Sequence, residues 1–168
     1  LRPRLAALTP AEVVGRVPAD ADMAAACLSG LWLWHDFLDE SHTLSQDIHT
    51  SSGSFWHGIM HRREGDYDNA KYWFRRVGEH PAYAALHAAA QAELRLDPTG
   101  PAEATRDLPP GQLLQLLSAP RWDPLRFVDL AAAACRGRSN LVEPCRRLQR
   151  LEFVTLFDFC FVAAREGR

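Results

Sequence analysis

Apolar residues recur along this chain at three- and four-residue intervals, and no stretch alternates strictly between hairpin turns. That pattern predicts an all-α fold, a bundle of about seven helices. A short helix over 10–17 has Thr9 as its N-cap and Pro10 at its first position. A long second helix follows over about 23–49, opened by Asp20 or Asp22, and the polar run TSSGS (50–54) reads as a loop leading to a third helix over 54–64. Gly65 stops that helix in the left-handed position. Asp66 or Asp68 caps a fourth helix reaching about Gly78, with Tyr67, Ala70, Phe74 and Val77 as its apolar stripe.

Further on, the alanine-rich 81–96 segment favours a helix that a neighbour can approach closely. The proline-rich stretch 97–111 is read as a surface loop inside a single domain spanning 1–168, with helices resuming at 112–118 and 123–136. A last helix starts near Asn140, with Glu143 at capping-box spacing, and runs to about Arg165. From Leu151 it is apolar almost all round, which predicts a helix enclosed by its neighbours with the second, third and fourth helices grouped around it. Asp158 would then be a carboxylate among apolar groups, needing a hydrogen bond or a charged partner.

At 168 residues the chain is long enough to fold as one domain without a metal or disulfide as a staple. Its formal charge of −2 argues against a bulk preference for nucleic acid or for an anionic membrane. The apolar run FVTLFDFCFVAA is too short to span a bilayer and contains Asp158. Cys27, Cys135, Cys145 and Cys160 show no C-x-x-C spacing and read as reduced core thiols, so the expected location is the cytoplasm.

Chemistry concentrates between residues 32 and 73. Five of the seven histidines and four of the five tryptophans fall there. In one continuous helix, at about 100° per residue, His35, Asp39 and His42 lie near 0°, 40° and −20°, with Gln46 and His49 continuing the row. His57, His61 and Glu64 repeat the same offsets on the third helix. Imidazoles four residues apart can chelate one ion, and a neighbouring helix carrying His35 and His42 could complete a set for Zn, Fe or Mn. Asp39, Glu40 or Gln46 could orient a ligand through its second nitrogen.

The reading stays open between three alternatives. In the first, the chain is a binding protein without catalysis, its pocket lined by His35, Asp39, His42, His57, His61 and Glu64 with Arg62 and Tyr72 at the rim, taking a small ligand or a protein partner. In the second, His35, His42, His57 and His61 hold a metal, and Glu64 or Glu40 serves as general base in a hydrolytic or oxidative reaction. In the third, these residues are structural. Glycine stands where a zincin helix carries its glutamate, so His57 and His61 do not make the metalloprotease motif.

The stretch REGDYDNAKYWFRRVGEHP resembles the second half of a tetratricopeptide repeat, with Gly65, Tyr67, Ala70, Phe74 and Pro81 in the parts of the turn glycine, turn aromatic, small residue, helix aromatic and closing proline. The resemblance implies one helical hairpin and a protein-interaction groove. No second copy occurs at the repeat spacing, so no array is implied. The longer segment from Ser29 to Pro81 resembles bacterial all-helical proteins of uncharacterised activity, which implies nothing about chemistry.

Overall fold

The computed structural model describes residues 1–95 and 111–167. Among the described residues the chain is all-α, with ten helices rather than seven and no strand. They are α1 (Arg2–Ala6), α2 (Pro10–Val14), α3 (Ala21–Trp34), α4 (Leu38–Gln46), α5 (Ser51–Glu64), α6 (Tyr67–Val77), α7 (Ala82–Arg95), α8 (Gln112–Leu117), α9 (Pro124–Cys135) and α10 (Val142–Glu166), with a 3₁₀ turn at Ser139–Leu141. The loop expected over 97–111 lies, except for Gly111, outside the described residues. None of these helices is long and apolar enough to cross a membrane.

The chain forms two compact units, one of residues 1–80 with 156–168 and one of residues 81–155. The second is built on Leu113, Leu116, Trp122, Phe127, Val128 and Leu130, all buried. Within it, Gln91 Nε2 donates to the Leu117 carbonyl at 2.6 Å, tying α7 to the end of α8. The first unit holds the histidine-rich region.

Three expectations fail for identifiable reasons. The long second helix is two helices, because the chain leaves α3 through a Schellman motif: Phe37 N–H reaches the Trp32 carbonyl at 3.0 Å and Asp36 N–H the Leu33 carbonyl at 3.1 Å. Asp36 takes φ 66°, the left-handed region that aspartate enters more readily than most side chains. The edge-on Trp32 and Phe37 rings supply the apolar contact that accompanies this motif. Arg63, reaching over from α5, closes the turn with hydrogen bonds to the Leu33 carbonyl and, at 2.7 Å, to the Asp36 carboxylate.

The enclosed helix is α5, not the C-terminal one. Every residue from Ser52 to Arg62 is buried. Glycines make this possible on neighbouring faces: a Cβ at Gly30 of α3 would lie 2.9 Å from the Trp56 ring, and one at Gly58 would lie 3.1 Å from the Phe74 ring of α6. Helix α10 instead keeps an open stripe at four-residue spacing, where Val154 and Val162 are exposed and Asp158 sits in water. No buried carboxylate therefore arises at Asp158. The TSSGS run is not a loop: Thr50 is the N-cap, its Oγ1 accepting from Gly53 N–H, and the serines already belong to α5.

Candidate metal centre

Two tight hairpins bring the site together. Helices α4 and α5 turn about the Thr50 cap, and α5 and α6 about Gly65, which takes φ 92°. Residues equally distant from a turn face each other across it. His57 and Trp73 each lie eight residues from Gly65, and His61 and Asn69 each lie four. Across the other turn, Ser45 meets His57 and His42 meets both histidines of α5.

The product is a cluster of three imidazoles, from His42, His57 and His61, each offering one ring nitrogen within 4.8 Å of the others. The ring centroids stand 4.6 Å (His42 to His57), 5.4 Å (His42 to His61) and 4.7 Å (His57 to His61) apart. His57 and His61 are buried and His42 is partly buried.

Each α5 imidazole has a partner on Nδ1. The Ser45 hydroxyl sits 2.8 Å from His57 Nδ1 and 3.3 Å from the His42 carbonyl. If the hydroxyl donates to that carbonyl it accepts from His57 Nδ1–H, which leaves the lone pair on Nε2. At His61 the Glu64 carboxylate accepts from Nδ1 at 3.1 Å, the carboxylate-to-histidine arrangement that orients metal ligands. Asn69 Nδ2 lies 3.1 Å from His61 Nε2, so an ion at that nitrogen would take over the amide's hydrogen bond.

Electrostatics keep the His57 ring neutral. Burial first, then the neighbouring imidazoles of His61 and His42, push the His57 pKa down from 6.5 to about 3. An ion at His57 near neutral pH therefore displaces no proton. Trp73 closes one side, its ring 4.0 Å from that of His57.

The other expected site residues land elsewhere. His35 is the exposed C-cap of α3, because the break at Asp36 takes it out of the row with His42. Asp39 is exposed in the first turn of α4. Glu40 pairs with Arg2, which removes it as a base at the cluster. Glu64 is close, but its carboxylate is engaged with His61 and so orients a ring. Arg62 is not at a rim: it is buried, with its guanidinium over the Phe74 ring. Tyr72 is exposed and stands edge-on to Trp73.

Sequence reasoning passed over Ser45 and Asn69. Equal spacing about Gly65 would have found Asn69, and the three-residue step from His42 would have found Ser45. No protein-family model, no curated protein and no solved structure matches the chain.

Proposed function

We propose that the chain is a metal protein that holds one divalent transition ion, zinc for preference, on His42, His57 and His61. The observation that supports this most is the convergence of three imidazole ring nitrogens within 4.8 Å, two of the rings oriented by hydrogen bonds through Nδ1. Zinc with bonds of 2.0–2.1 Å in tetrahedral geometry needs ligand nitrogens about 3.3 Å apart, so small ring rotations complete the set. Three imidazoles are the donor set of a catalytic rather than a closed structural zinc site, since a fourth position is left for water or substrate. A metal bound there supplies a water acidified to a pKa of about 7, which favours hydrolysis as the reaction class. In this reading Glu64 and Ser45 orient ligands, and among the described residues no separate carboxylate base stands at the cluster.

The test is metal analysis of untagged protein purified without a nickel column. Close to one equivalent of zinc, iron or manganese per chain is expected, with rebinding after chelation. Protein that arrives metal-free and binds no added zinc, cobalt or manganese would overturn the reading.

A further inference from the structure

Beside Trp73 lies a cavity of about 400 Å³, bounded by the Thr50 cap and first turn of α5 and by the end of α6. We propose that this cavity binds an oxyanion, the phosphate or carboxylate group of a small molecule, independently of any metal at the histidine cluster.

Four observations support the assignment. The cavity wall carries Arg76 and His49 and no carboxylate. Arg76 forms no ion pair among the described residues; its guanidinium is held over the Trp73 ring, 5.1 Å from the centroid, and Nη1 donates to the Tyr72 hydroxyl at 3.4 Å. Stacking of this kind fixes the plane of the fork while leaving other N–H groups for a bidentate contact.

The first turn of α5 is also unspent. It contains no acidic residue, Thr50 satisfies the N–H of Gly53 and Ser54, and the N–H groups of Ser51 and Ser52 meet no acceptor among the described residues. A 14-residue helix presents its positive end there. Separately from the helix end, Ser54 is 7 % exposed, and its hydroxyl, facing the cavity, has no hydrogen-bond partner among the described residues. Ser54 lines the cavity with its hydroxyl uncommitted, so an oxyanion seated there can accept from it.

The cavity thus offers guanidinium N–H groups from Arg76 and donors from Ser51 and Ser54, with Trp73 in its wall. Because Trp73 touches both this cavity and the His57 ring, occupancy should be visible in tryptophan fluorescence.

The experiment titrates inorganic phosphate, and in a second arm acetate, into the full chain kept in chelator, so that no bound metal can report. Calorimetry and fluorescence follow binding. Saturable phosphate binding should weaken about tenfold or more in Arg76→Gln and several-fold in Ser54→Ala, with Arg75→Gln as the unchanged control. Binding that persists in chelator separates this site from the metal centre. Saturation by acetate with the same variant pattern, and none by phosphate, would make the ligand group a carboxylate. No saturation by either anion to about 10 mM, or binding that Arg76→Gln and Ser54→Ala leave unaltered, would overturn the proposal.

Discussion

The two histidine rows of this chain have the same spacing and different fates. On α5, His57, His61 and Glu64 keep the geometry that their offsets imply, because the helix from Ser51 to Glu64 is unbroken and enclosed. In the row before it, only His42 reaches the cluster; His35 sits beyond the end of α3 and His49 beyond the end of α4, both exposed. A shared face is a property of a continuous helix, and one left-handed residue, Asp36, cancels it.

Removing rings is the most severe way to break that contrast. His57→Ala, His61→Ala and His42→Ala should each abolish stoichiometric metal, because a three-imidazole set has no spare ligand. His35→Ala and His49→Ala should leave metal content unchanged. Elemental analysis of the five variants checks this, with circular dichroism to show that helicity survives. Loss of metal in His35→Ala would restore the longer row and sink the three-residue assignment.

Removing the orienting partners is the next and smaller perturbation. Ser45→Ala and Glu64→Gln leave all three imidazoles in place but remove the Nδ1 partner of His57 and the carboxylate charge at Nδ1 of His61. Affinity for zinc should fall by about 10- to 100-fold in each, as measured by competition with a chromophoric chelator. Asp39→Asn and Glu40→Gln should have no such effect, the first being exposed and the second belonging to a pair with Arg2. Equal losses in Glu64→Gln, Asp39→Asn and Glu40→Gln with none in Ser45→Ala would mean that general charge, not ring orientation, sets the affinity.

Legibility in the sequence followed the reach of the interactions. The all-α class, the cap at Thr9, the stop at Gly65 and the pairing of His57 with His61 were all readable, since each depends on residues within one or two turns. The break after Trp34 was not, because no glycine or proline marks it: Asp36 takes the turn, stabilised by the Trp32 and Phe37 contact and by Arg63 from a helix about 30 residues on. Burial was misjudged for a related reason. Helix α5 carries serine, glycine, histidine and arginine among its buried positions, so its composition does not look like a core, whereas the apolar α10 keeps a face open to water. Small side chains and hydrogen-bonded polar groups enclosed the first helix.

His80 sharpens the comparison most finely, being a buried histidine of the same unit that belongs to neither row. Its ring lies edge-on to Phe55 and Phe159, and Nε2 is 3.0 Å from the Ser52 hydroxyl. Burial pushes its pKa down from 6.5 to about 4. The folded chain therefore refuses a proton that the unfolded chain accepts, and the unfolded state binds more protons between those values. The sign follows: this contribution is constant above about pH 6.5, and stability falls as pH drops from there toward 4. At pH 5 the loss amounts to at most about 2 kcal/mol. In metal-free protein, the stability difference between the parent chain and His80→Gln should shrink as pH goes from 7 to 4.5, read from urea midpoints. His57 titrates in both proteins and cancels from that difference, so a pH-independent gap would mean that His80 is reached by water and protonates freely in the folded state.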